Sequence, residues 1–289
     1  MNEGLDEMLE CLEAGKLIPY LGPGIWREEE AEPQFPTDCG SLSESLARRV
    51  AVPGRARNNL SATAQYIESH RHRKTLRKLL LETFSVPTRT LSLHERLASL
   101  PRLPLVVDVW YDGALQAAFR SRSDWGEIQG VSQAEHPGRW TQAYRPDGAE
   151  ASLDEAERWE TVLYKPLGSA SPAGNFVVSD SDYVEVLTEI DIQTPIPPVV
   201  QERRRGSRFL FLGCRFASQN ERVYARQILK RSSNRHWALL PENLSRNEER
   251  FLEELRIERI PLSFAALEEG LFAQSSAARG PLSESRRKG

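Results

Sequence analysis

Apolar residues fall in short, regularly spaced groups along the chain. Leu5, Met8, Leu9 and Leu12 share one face of a helix over 5–15, and Gly15 stands where a C-terminal stop is expected. The apolar run Leu17–Leu21 predicts a buried strand, followed by a sharp turn at Gly22-Pro23-Gly24. Helical spacing resumes over 41–50, 59–70, 72–84 and 90–100. Leu103–Val109 predicts a second strong strand, and Asp112–Arg120 the helix after it. Glu160–Lys165 and Asn175–Val178 read as strands and Ser181–Leu187 as a helix. Arg208–Gly213 is the third strong strand, with Asn220–Arg231 a helix behind it. His236–Leu240 (strand), Arg246–Leu255 (helix) and Arg259–Leu262 (strand) complete the pattern.

The intervening segments are polar. Segment 27–40 is acidic and proline-containing, which predicts a loop. Segment 121–150 mixes Gly, Pro and Trp, and predicts a meander of short strands or an insertion reaching to about 160. Segment 192–207 holds clustered prolines and Arg203-Arg204-Arg205, and predicts an exposed connection. Residues 273–289 are small, polar and basic, and predict a flexible tail after one domain over 1–272. Strands alternating with helices imply an α/β fold: a mainly parallel, Rossmann-like sheet with helices on both faces. Such sheets bind ligands at the carboxyl ends of their strands.

Charge narrows the partners. The chain has 38 basic and 41 acidic residues among 289, a net charge of -3, so no global field favours nucleic acid or an anionic membrane. No apolar run is long enough to cross a bilayer, and the acidic, helical N-terminus is unlike a signal peptide. Cys11, Cys39 and Cys214 show no paired spacing, which points to a reducing, cytoplasmic setting and away from a metal site.

Several residues are candidates for chemistry. The glycine turn suits close approach to a phosphate, and suits a tight strand-to-loop turn equally. His70 and His72 are two apart on a helix, so they face different ways and read as a solvated basic cluster. His94 and His236 read as structural, and His136 lies in the variable segment. Cys214 reads as a small buried hydrophobe or as a thiol facing a cleft. Asp112 reads as a helix cap or a ribose ligand, with Asp108, Asp180 and Asp182 also at strand ends or turns. Trp125, Trp140 and Trp159 read as local packing or a contact surface. Arg203–Arg205 and Arg286-Arg287-Lys288 read as solvated charge or an anionic contact.

The order of segments resembles the prokaryotic sirtuin-like domain family over roughly residues 5–270. Leu12–Ile25 resembles the helix and strand leading into that family's Gly-Ala-Gly turn. Leu105–Phe119 resembles its Thr-Thr-Asn-Tyr-Asp segment, and Val162–Gly168 its Lys-x-His-Gly segment. Ser179–Tyr183 resembles the following Asp-Tyr, and Phe209–Asn220 the Gly-Tyr-Ser-x-x-Asp turn. The zinc-binding cysteine module of the deacetylase branch is missing. The resemblance implies a nucleotide of NAD or ADP-ribose type, held around Gly22, Pro23, Gly24, Ile25, Trp26, Tyr111, Asp112, Gly168, Gly213 and Cys214.

The resemblance breaks at the reacting groups. Trp110 stands where the family has its Asn, and Leu167 where it has its His. An indole lacks an amide's paired donor and acceptor, and Leu transfers no proton. Pro23 replaces Ala, Trp26 a small hydroxyl residue, and Ser218 an Asp. The expectation is a sensor or regulatory subunit that binds nucleotide or a partner protein without the family's chemistry. One alternative is an active NAD glycohydrolase of the phage-defence type using replacements such as His136 or Asp108. Another is an interaction module plugged by Trp26 and Trp110. A homo-oligomer is compatible with this picture, but no coiled-coil pattern demands one.

Overall fold

The structure is a computed structural model, and it describes residues 3–27, 34–86, 89–189, 196–240, 243–267 and 269–270. The anticipated 273–289 tail lies outside them, as does most of the acidic stretch of the 27–40 loop.

The chain begins with α1 (Glu3–Glu13), β1 (Leu17–Leu21) and a 3₁₀ turn over Pro23–Arg27. A helical block follows: α2 (Cys39–Arg49), α3 (Leu60–Arg71), α4 (Arg73–Phe84) and α5 (Ser92–Ser99). Then come β2 (Leu105–Asp108), α6 (Ala114–Phe119), β3 (Trp125–Gly130), β4 (Thr141–Tyr144), β5 (Glu150–Ala151) and α7 (Leu153–Ala156). Next are β6 (Thr161–Lys165), the hairpin strands β7 (Gly168–Ser169) and β8 (Asn175–Phe176), and α8 (Asp180–Glu189). The last third holds α9 (Pro198–Arg204), β9 (Arg208–Leu212), α10 (Gln219–Ile228), β10 (His236–Leu239), α11 (Arg246–Leu255) and β11 (Ile257–Arg259).

Among the described residues, the main sheet runs β11-β10-β9-β1-β2-β6-β3-β4-β5. Every pairing from β11 to β3 is parallel, and β4 and β5 add an antiparallel edge. Side-chain alternation splits the strands between two cores. Leu17, Leu21, Val106, Leu163, Leu210, Leu212 and Trp237 join one face, with residues of α1–α6. Ile18, Tyr20, Leu105, Val107, Val162, Tyr164, Phe209, Phe211 and Ala238 join the other, with α8–α11. Each fully buried Leu, Ile or Phe contributes about 1.5–3 kcal/mol. That burial, more than local propensity, fixes such short strands in place.

Three expectations are corrected. Segment 121–150 follows the short-strand alternative over the insertion: it supplies β3 and β4, and β3 is an interior parallel strand between β6 and β4 rather than a step in a meander. Its Glu127 and Gln129 are buried, which hides the strand from a hydrophobicity reading. Part of the proline-rich connection is the helix α9, with Pro198 in its first turn and Val199 and Val200 in the second core. Arg204 is buried there and donates to the carbonyls of Gln227 and Ile228, while Arg203 donates to those of Pro104, Trp159 and Glu160. Arg204 thus ties α9 to the end of α10, and Arg203 ties it to the approaches of β2 and β6, while Arg205 stays exposed beside Glu202. The last strand is Ile257–Arg259, two residues earlier than the pattern suggested.

Trp125 and Trp159 pack locally, and half-buried Trp140 lies against the second core. Trp125 is buried against Phe119, with ring centroids 5.5 Å apart. Trp159 covers Gly126 so closely that any Cβ there would collide with its ring. No helix among the described residues is long and apolar enough to cross a membrane.

Candidate functional site

From β1 the chain builds the sheet outward through β2 and β6; it later returns to β1's other edge with β9 and continues to β10. The switch in direction falls between β1 and β9, where an open parallel sheet leaves a crevice. A cavity of about 660 Å³ opens there, within the range of small-ligand sites. It is lined by Gly22–Gly24 after β1, Val109–Tyr111 after β2, Leu167 after β6 and Gly213–Ser218 after β9.

The glycines in this cleft have a structural cause. Gly22 N–H donates to Leu212 O at 2.8 Å, and Gly24 N–H to Gly213 O at 2.9 Å. A Cβ on Gly22 would sit 2.6 Å from Gly213 O, and one on Gly24 2.7 Å from the same oxygen. Gly213 itself has φ +66°, a conformation costly for other residues. The two turns therefore interlock backbone to backbone. In consequence, their donors are spent: Gly22 and Gly24 are bonded, Pro23 has no N–H, and Ile25 N–H bonds weakly to Gly22 O at 3.4 Å.

The two family positions both reach the cleft. Trp110 lines it, and its indole N–H donates to Pro36 O at 3.0 Å. Its ring lies 5.2 Å from Tyr111 and 5.8 Å edge-on to Phe84. Half-buried Leu167 lines the same space. Tyr111 is anchored through its hydroxyl to Val177 O at 3.0 Å. Cys214 lines the cleft too, but burial pushes its thiol well above the usual range, away from the reactive thiolate.

Other candidates lie off the cleft lining. Ile25 and Trp26 are in the first core, where Trp26 meets Phe35 edge-on at 5.0 Å, so Trp26 is no plug. Gly168 belongs to the β7–β8 ladder, hemmed by the Asn175 carbonyl. His136 follows β3 in a turn, its N–H bonded to Ser132 O. Asp112 accepts Ala114 N–H at 2.9 Å, which is a capping contact. Asp108 receives Lys165 Nζ at 2.5 Å and Trp110 N–H at 3.1 Å. Lys165 is fully buried and also donates to Asp112 O at 3.0 Å.

Burial raises both aspartates against the pull of Lys165. Burial opposes the Lys165 ammonium, but Asp108, Asp112 and Glu127 outweigh it and raise its pKa. Burial also lifts Glu127 to about 7. The cluster joins β2, β3, β6 and α6, and neither Asp108 nor His136 offers the cleft a proton carrier.

Sequence reasoning overlooked the cleft's charged lining. Asp38 caps α2, accepting Ser41 N–H at 2.8 Å, and pairs with Arg27. Glu221 and Glu248 close capping boxes with Ser218 and Ser245 at the starts of α10 and α11. The Ser-x-x-Glu spacing at 218–221 and 245–248 carried that signal. Tyr20, Tyr183 and Tyr224 also line the cleft; Tyr20 and Tyr183 lie within segments that carry the family resemblance, whereas no local motif marks Tyr224. Among the described residues, no group of three or more His, Cys, Asp and Glu is placed to hold a metal.

A family model described as a SIR2-like domain matches residues 104–260, just over half of the chain. The chain belongs to the SIR2-like family. In this SIR2-like chain the matched span holds Trp110, Leu167 and the Gly213 turn, whereas Gly22–Gly24 precedes it. The chain is also similar to a solved structure described as the structural basis for the mechanism and regulation of Sir2 enzymes. Identity is 11%, with 96% of this chain and 99% of that one covered and a TM-score of 0.40. No curated protein matches the SIR2-like chain.

Proposed function

We propose that this SIR2-like domain binds a nucleotide of NAD or ADP-ribose type in the β1/β9 cleft and does not cleave it. It would act as a sensor or regulatory subunit. The observation that carries the reading is the joint placement of Trp110 and Leu167 on the cleft that the glycine turns also border. Leu167 has no titratable group, and the one donor of the Trp110 side chain is committed to Pro36. An acid–base step needs a group within hydrogen-bond reach of the reacting atom.

The cleft suits such a ligand in part. Its size and its aromatic lining (Tyr20, Trp110, Tyr183) fit a nucleoside. The Gly22–Gly24 turn offers the phosphates little, because residues 22–25 hold no unclaimed main-chain donor.

Two assays test the reading. Purified protein incubated with NAD releases no nicotinamide above the protein-free blank. Its melting temperature rises with added NAD or ADP-ribose as mass action requires. Turnover by the wild type that disappears in Leu167→Asp, with folding retained, would overturn it. So would a melting temperature indifferent to both ligands.

A further inference from the structure

The cleft's cations are few and paired. Arg215 is held twice, by the buried Glu248 carboxylate at 3.0 Å and by Asn243 O at 3.1 Å. Arg27 differs. It ends the 3₁₀ turn after β1, and among the described residues its Nη2 meets only the Asp38 Oδ2, at 2.5 Å. Both side chains stay open to solvent, 59% and 36% exposed. Exposed pairs of this kind contribute little, because water screens them and both side chains lose freedom.

Asp38 has a second occupation: its Oδ1 accepts Ser41 N–H as the N-cap of α2. Losing Arg27 therefore leaves its carboxylate satisfied. Arg27 would gain from an exchange, since a phosphate offers more charge and a matching fork of oxygens. The neighbouring turn cannot compete for that phosphate, its N–H groups being spent. The backbone need not move: Phe35 is buried between Trp26 and Phe84, and Pro36 O is held by Trp110.

From this arrangement we propose that Arg27 is the anion-binding residue of the cleft, held in reserve by Asp38, so that a phosphoanhydride ligand binds by displacing the Asp38 carboxylate. This rests on the nucleotide reading for its natural ligand, but the anion site can be tested without a nucleoside.

The experiment titrates wild type, Asp38→Asn and Arg27→Gln with inorganic pyrophosphate and, separately, with ADP-ribose, by calorimetry. Asn retains a cap acceptor for Ser41 N–H, so α2 stays capped. Removing the competing carboxylate tightens both ligands about two- to fivefold. Removing the guanidinium weakens both about tenfold. ADP-ribose binding of equal strength in all three proteins overturns the Arg27 assignment and leaves the nucleotide reading standing. Pyrophosphate binding that follows the variants while ADP-ribose fails to bind any of them upholds the anion site and removes the nucleotide. Absence of binding for both probes in all three proteins overturns both.

Discussion

Replacing Glu127 by Gln should stabilise the protein at neutral and alkaline pH. The carboxyl is buried on β3, where its Oε1 accepts from Gln129 Nε2 at 2.7 Å and Gln116 Nε2 at 3.1 Å. Burial lifts it from an ordinary 4.5 to about 7, against the opposing pull of Lys165 and those two amides. A folded-state pKa raised above the unfolded one means that the native state holds its proton more tightly. The stabilisation is complete below pH 4.5 and is lost as pH rises through about 7. The displacement corresponds to about 3 kcal/mol at pH 8 and to under about 1 kcal/mol at pH 5. Gln keeps the acceptor oxygen and adds an N–H₂ group. Gln116 Oε1 and Gln129 Oε1 are buried nearby without partners and could receive it. Urea unfolding of wild type and Glu127→Gln at pH 5 and pH 8 measures the difference, and comparing the two proteins cancels the titrating groups that lie beyond the reach of Glu127. The advantage of the variant should grow by about 2–3 kcal/mol between the two values. An equal gap at both, or a variant less stable than wild type at pH 8, would refute the reasoning.

Three further outcomes follow from the geometry. Gly213→Ala forces a side chain into φ +66° against the Gly22 turn and should cost about 1–3 kcal/mol, read as a lower melting temperature; an unchanged value would mean that the two turns are not interlocked. Burial holds both His94 and His236 down to about 4. With folded values depressed, their contribution is present above pH 6.5 and is lost as pH falls toward 4. Their imidazole NMR signals should stay neutral at pH 5.5, and a midpoint near 6.5 would contradict this. Burial raises the thiols of Cys39 and Cys214, so a maleimide at pH 8 should label neither before unfolding; rapid labelling of Cys214 in the native protein would revive it as a reactive group.

The amino-acid sequence alone determined most of the elements and the class of fold. Runs such as Leu17–Leu21 and Phe209–Leu212 are apolar on both faces, which only a sheet covered on two sides accommodates. The same local logic placed helices over 220–231 and 246–255, close to α10 and α11. It also named Trp110 and Leu167 as the positions without proton-handling groups. Tertiary structure decided the rest. β3 escaped notice because its Glu127 and Gln129 are matched by Lys165, Gln116 and Ser171, partners distant in sequence. Whether Ile25 and Trp26 face ligand or core depends on one turn's rotation, which no residue pattern specifies. The glycines 22, 24 and 213 looked like a cradle for a phosphate; their cause is the meeting of two turns nearly two hundred residues apart in the chain. Composition and spacing act between neighbours, whereas the use of a donor depends on what the folded chain brings against it.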